Sequence, residues 1–209
     1  MSPGRVEPFQ RALTELRERL RLGALTPGAR VTAKEVAEEL RLSATPVREA
    51  LSRLAGEGLL EERRGDGFFV RTLSALDIAD LYRMSQAILA LAQDQERRGR
   101  PDLAQAAAEL AAVDPVRAVE RIFAAWVAEA GRPVLATSYR LLAYQVGAVR
   151  RAEHRLLADL VSEARSLAAL AAAGGWRARQ AALTAFHDRR IALADELATL
   201  FEADPAAEV

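Results

Sequence analysis

The chain has 209 residues and a mass of 22.7 kDa, enough for one or two domains with a core of ordinary depth. Half of it is apolar (51%), and 29 basic residues balance 29 acidic ones, so the composition is globular and no global charge advertises a nucleic acid or a membrane. Without cysteine, and with only His154 and His187, the chain lacks disulfides, thiolate nucleophiles and the makings of a multi-histidine metal centre. No apolar run reaches the roughly 18 residues of a membrane span, and no signal-peptide pattern opens the sequence. A soluble cytoplasmic protein with no cofactor and no metal is the expectation.

Alanine, leucine and arginine dominate, asparagine is absent, and Lys34 is the sole lysine. These are good helix formers, so a mainly α chain is expected. Texture changes near residue 73. Residues 1–73 hold the strand-like stretch and most turn signals, with 13 basic and 11 acidic side chains; residues 74–209 read as helix after helix, with 16 basic and 18 acidic. A slightly positive head precedes a slightly negative body.

In the head, Val6, Phe9, Leu13, Leu16 and Leu20 recur at steps of three and four, an amphipathic helix that stops near Gly23. Thr26-Pro27-Gly28 forms a turn. Thr32 and Glu35 have capping-box spacing, opening a helix that buries Val36, Ala37 and Leu40. After a short turn at Arg41-Leu42 comes Ser43-Ala44-Thr45-Pro46, where either hydroxyl can cap the next helix and proline suits its first turn. That third helix buries Val47, Ala50, Leu51 and Leu54 and ends at Gly56 or Gly58. Leu59–Arg63 and Phe68–Arg71 then flank the turn Arg64-Gly65-Asp66-Gly67, a hairpin. Of Phe68 and Phe69, one packs in the core and the other is free for a domain contact.

Helix, helix, short turn, helix, hairpin is the plan of a winged helix-turn-helix, whose second motif helix enters the DNA major groove. With the leucines of the third helix inward, Ala44, Thr45, Arg48 and Ser52 share the outward face. Arg48 can fork onto guanine or clamp a phosphate, and Thr45 offers a hydroxyl and a methyl. Lys34 can add a phosphate contact, while Arg63 and Arg64 charge the tip of the wing. Blander readings stand beside these: Arg53 as the partner of Glu49 on a solvated face, and the wing arginines as edge-strand solubilisers.

Thr26-Pro-Gly, Val36-Ala-Glu-Glu-Leu-Arg-Leu-Ser43, Thr45-Pro-Val-Arg-Glu-Ala-Leu51, Arg53-Leu54 and Glu57-Gly-Leu59 resemble the GntR family of bacterial transcription regulators over about residues 6–73. The resemblance implies DNA contacts at Lys34, Ser43, Thr45, Arg48, Arg64 and Gly65. It also implies a second domain like that of the FadR-type branch, an antiparallel helical bundle that dimerises and binds a small-molecule effector. One departure stands out. Ala44 occupies the place of a family arginine that reads a base or clamps the backbone, a contact worth roughly 1–3 kcal/mol; Arg41 is the nearest compensating cation.

In the body, helices are expected near 74–99, 102–112, 115–130, 133–150, 152–173 and 176–202, a bundle. Phe123, Trp126, Tyr139, Tyr144, Trp176 and Phe186 are assigned to core or dimer interface. Many members of the resembled branch hold a divalent metal through an Asp and three His. Here Phe123 or Ala124 falls at the first His and Arg165 near the middle one, and only His187 matches, so no metal is expected. His154 reads as a solvated surface residue, and His187 as either core or pocket lining. Ser85 and Leu89 stand where the family often has Arg and Glu. Ser85 and His187 are therefore the only, weak, effector-binding candidates, and the effector is expected to be more apolar than the usual organic acids, or sensing lost.

The leading expectation is a homodimeric repressor on a palindromic operator in double-stranded DNA. A helical protein-interaction module with a weakened winged domain is the alternative. No phosphate loop, cysteine or nucleophile–base spacing points to an enzyme.

Overall fold

Leucine spacing builds the first unit. In the computed structural model, which describes residues 7–93, 99–173 and 175–201, α1 (Pro8–Arg21) buries Ala12, Leu13, Leu16 and Leu20 along one stripe; Val6 lies outside the described residues. Proline in the first turn and Arg19 and Arg21 in the last suit both helix ends. In α2 (Ala33–Leu40) the Thr32 hydroxyl accepts from the Glu35 amide at 3.3 Å, and Val36, Ala37 and Leu40 are buried. The helix ends on Arg41, whose φ of 55° lies in the left-handed region, and the Leu42 amide closes back onto the Ala37 carbonyl at 2.9 Å. That reversal launches α3 (Ala44–Gly56), whose Val47, Ala50, Leu51 and Leu54 are fully buried. Each leucine contributes about 1.5–3 kcal/mol by leaving water.

The wing is a three-stranded sheet in the order β1-β3-β2. β2 (Leu60–Arg63) and β3 (Gly67–Val70) pair antiparallel, Leu60 opposite Val70 and Arg63 opposite Gly67. The sequence carries no period-2 signal for β1 (Arg30–Val31), a two-residue strand that exists because β3 offers its free edge. Neither wing phenylalanine is buried. Phe68 and Phe69 are both half-exposed, and the Arg63 guanidinium lies 4.1 Å over the Phe69 ring.

Between Leu73 and Ser74 the chain passes into a second unit with its own core. It runs α4 (Ala75–Ala92), α5 (Pro101–Ala111), α6 (Pro115–Glu129), α7 (Pro133–Ala152), α8 (Leu160–Ala173), α9 (Trp176–Ala192) and α10 (Ala194–Thr199). Local chemistry sets the starts: Ser74 and Asp77 make a reciprocal capping box, Asp114 accepts from the Arg117 amide at 2.9 Å, and α5, α6 and α7 each open on proline. Alanines at 104, 107 and 111 on α5 and 164, 168 and 171 on α8 are buried, letting the two helices lie close. Beside them a Cβ on Gly99 would sit 1.7 Å from the Ala172 carbonyl oxygen, so only glycine fits there.

Three boundaries differ from expectation. The helix expected over 152–173 begins at Leu160: residues 153–155 form a 3-10 turn, and the Glu153 carbonyl collects the amides of Leu156 and Leu157. The helix expected over 176–202 breaks at Leu193, whose amide turns back to the Arg190 carbonyl. The first body helix stops at Ala92, and residues 94–98 of the expected 74–99 span lie outside the described residues. Trp176, expected inside or at an interface, is 37% exposed.

Candidate nucleic-acid interface

On α3 the outward face is accessible. Ser43, Ala44, Thr45, Arg48, Glu49 and Ser52 are all exposed, while the opposite stripe is sealed against α1 and α2. Ser43 sits at the N-cap, yet its side chain makes no capping bond, so the first amides of α3 have no side-chain acceptor. Such a helix start attracts an anion.

The basic side chains of this unit sort into two groups. Arg17, Arg19, Arg21, Arg53 and Arg63 each meet a carboxylate. Arg53 reaches forward to Glu57 at 2.8 Å, not back to Glu49 as its spacing allowed, because Glu57 is already fixed by Arg17 at 2.6 Å. Lys34, Arg41, Arg48 and Arg64, and likewise Arg11 and Arg30, are exposed and have no carboxylate within ion-pair distance among the described residues. Lys34 stands in the first turn of α2, Arg41 in the turn before α3, Arg48 one turn into α3, and Arg64 at the wing tip. At that tip Gly65 has φ +85° with open space around it, a backbone shape that side chains resist. The structure adds Arg30, whose guanidinium edge lies against Gly67 and which no motif had signalled.

The helical unit holds the two effector candidates together. Ser85 of α4 and His187 of α9, 102 residues apart, meet at 3.0 Å. The Leu183 carbonyl, 2.7 Å from His187 Nδ1, can only accept, so Nδ1 carries the proton and Nε2 accepts from Ser85. Burial, assisted by the positive charges of Arg150 and Arg190, pushes His187 down to about 4. It is a core histidine, with no exposure at all. His154 is exposed, and its Nδ1 donates to the Arg151 carbonyl. Among the described residues no three His, Cys, Asp or Glu side chains are grouped to hold a metal.

Next to Ser85 lies a buried ionic cluster that the sequence did not reveal. Glu153, 1% exposed, accepts from the Tyr82 hydroxyl at 2.5 Å and from Arg190 at 2.8 Å; Arg190 also reaches Glu163 at 2.6 Å and covers the Phe186 ring at 3.4 Å. Burial alone would lower the pKa of Arg190, but Glu163 and Glu153 hold it above its ordinary value. Burial, with Glu153 adding to it, raises Tyr82 well above the ordinary phenol. A second buried arginine, Arg179, donates to Gln93 at 3.1 Å and to the Ala171 carbonyl. No helix among the described residues is long and apolar enough to cross a membrane.

Comparison with known proteins matches residues 8–70 to the bacterial regulatory proteins of the gntR family. Over 58 residues the chain is 47% identical to the Nta operon transcriptional regulator of Aminobacter aminovorans, covering 28% of each chain. Over 93 residues it is 38% identical to the HTH-type transcriptional regulator McbR of Escherichia coli (strain K12), covering 44% of this chain and 42% of that one. The chain thus spans less than half the length of these curated relatives. The solved structure of E. coli McbR/YncC superposes with a TM-score of 0.71 at 23% identity, over 92% of this chain and 99% of the other. Likeness at that identity speaks for the fold: a winged domain followed by a helical bundle.

Proposed function

We propose that this chain is a transcriptional regulator of the gntR family, with its winged domain at residues 8–70 and a helical unit after it, and that it acts as a cytoplasmic homodimer on a palindromic operator, as a repressor modulated by a small effector. Residues 1–73 serve as the DNA-binding domain and 74–209 as the dimerising, effector-binding domain. Catalysis has no part in this reading.

The observation that carries it is the sorting of charge in the winged unit. Opposite charges three or four residues apart on a helix attract, so an exposed cation left without one is available to another partner. Lys34, Arg41, Arg48 and Arg64 are left unbalanced at the helix starts, the turn and the wing tip where phosphates would run. Thr45 and Arg48 face the base edges, Ser43 and Lys34 the backbone, and Arg63, Arg64 and Gly65 the flanking groove. Arg63 is the weakest of these, since Glu61 at 3.3 Å and the Phe69 ring already engage it. Ala44 leaves a gap in the same row that Arg41 is placed to fill.

The test is an equilibrium titration of the protein against the DNA upstream of its own reading frame at several salt concentrations. Three or four phosphate contacts per subunit give a dimer a slope of log K on log salt of roughly −5 to −7. Arg48→Ala, on an exposed position, should leave the fold intact and cost about 1–3 kcal/mol of specific affinity. A slope near zero, or an Arg48→Ala protein that binds as the parent does, overturns the docking and leaves the protein-interaction module.

A further inference from the structure

Antiparallel pairing sorts the side chains of the wing onto two faces, because opposed residues share a face and successive ones alternate. The buried Val31, Leu60 and Val70 define the inner face, to which Phe68 and Glu62 also belong. Arg30, Phe69, Glu61, Gly67 and Arg63 therefore share the outer face. There Phe69 stands between Arg30 on β1 and Glu61 on β2, the Arg63 guanidinium lies 4.1 Å over its ring, and Arg63 meets Glu61 at 3.3 Å. Arg30 is exposed and has no carboxylate within ion-pair distance among the described residues. Two guanidiniums against one carboxylate leave this face positive.

Arg30 is also held in place. Val31 beside it is buried, the Val70 amide donates to the Ala29 carbonyl at 2.9 Å, and the Gly28 amide donates to the Val70 carbonyl at 2.9 Å. Its side chain leans toward the tip: Nε and Nη2 lie 3.6 and 3.7 Å from where a Cβ on Gly67 would stand. Gly67 pairs opposite Arg63 and is two residues from Gly65, at most about 7 Å of chain. A guanidinium anchored in this way gives up little freedom on meeting a ligand. The two-residue β1 thus sets a cation one short step behind the tip of the wing.

We infer that Arg30 is a second phosphate-binding residue of the wing, gripping the DNA backbone one nucleotide beyond the tip, over the bare backbone of Gly67, with Arg63 held on the Phe69 ring as its neighbour. The contact reads charge and carries no sequence information. It rests on the DNA reading above and widens that footprint from α3 and the tip to the outer face of the wing. Arg11 is the contrast: it is exposed and equally without a carboxylate, but it stands on α1, which packs on the buried side of α3.

The experiment titrates the full-length protein against the DNA upstream of its own reading frame, and against a scrambled duplex of equal length, at several salt concentrations. Arg30→Gln should bind both duplexes less tightly by the same factor and flatten the slope of log K on log salt by about 2 for a dimer, one phosphate per subunit. Arg30→Lys should keep most of the parent slope, and Arg11→Gln all of it. Glu61→Gln, which frees Arg63 from its carboxylate, should tighten binding about threefold on both duplexes, a gain that no damaged fold produces. An Arg30→Gln protein with the parent's slope overturns the inference. So does a loss confined to the upstream sequence, or an equal loss in Arg11→Gln. Should Arg30→Gln fail to fold, Glu61→Gln decides the matter, and unchanged affinity there overturns the inference. Binding weakened by Arg48→Ala but not by Arg30→Gln leaves the regulator standing and removes the wing contact alone; a parent that binds neither duplex removes both.

Discussion

His187 is the residue at which chemistry and burial conflict most plainly. Its imidazole has no exposure, donates to the Leu183 carbonyl, accepts from Ser85, and stacks 5.9 Å from Phe123. Its folded pKa of about 4 lies below the unfolded value near 6.5, so the unfolded chain takes the proton more readily. The stability His187 supports is complete above pH 6.5 and is lost as pH falls toward 4. Between pH 7 and pH 5 the linked loss is on the order of 2 kcal/mol. Urea unfolding should show it, and His187→Gln should flatten that part of the pH profile; equal slopes for both proteins would mean that other groups govern acid sensitivity. At this scale the sequence was least legible. His187 matched a family position and proved a core residue, and Arg150, Arg179 and Arg190 are indistinguishable in sequence from the many exposed arginines. Their partners lie as far as 86 residues away, as with Gln93 and Arg179, and no local spacing encodes that.

Elements were read where their ends carry their own chemistry. The Thr32 cap, the Pro101, Pro115 and Pro133 starts and the Gly-Asp-Gly turn each state a backbone geometry in one or two residues. Elements held by distant partners were missed: β1 needs the edge of β3, and the 153–159 break falls where the buried Glu153 carboxylate is bound by Arg190, 37 residues away. The Thr32 cap matters because α2 has only eight residues and little intrinsic stability. Thr32→Ala should cost about 1 kcal/mol. Amide exchange in α2 should quicken accordingly, while exchange in α4, held by its own Ser74–Asp77 box, should not change; equal protection of α2 in both proteins would show that packing on α3 suffices.

For the whole molecule, neutrality is a sum of unlike parts, and the positive part is the winged unit. A regulator that binds as a two-fold dimer must present its two α3 helices about one turn of DNA apart. Inserting about five base pairs, half a turn, between operator half-sites should move them to opposite faces of the duplex and reduce binding to the half-site level. Insertion of a full turn should restore part of the affinity; binding indifferent to both insertions would argue against a dimer in which the two winged units are held in register. The winged plan and the helical body were visible in the sequence because both are written in local periodicity.

Arg41 is the one described residue other than glycine with a positive φ. A protein engineer seeking heat tolerance would write glycine there and expect to relieve about 1 kcal/mol of torsional discomfort. That replacement would also delete a solvent-facing cation from the corner that delivers α3 to its target. Arg41→Gly should therefore melt later and grip its operator less tightly, one codon moving sturdiness and occupancy in opposite directions; a variant improved in both respects would mean that the corner needs only its bend.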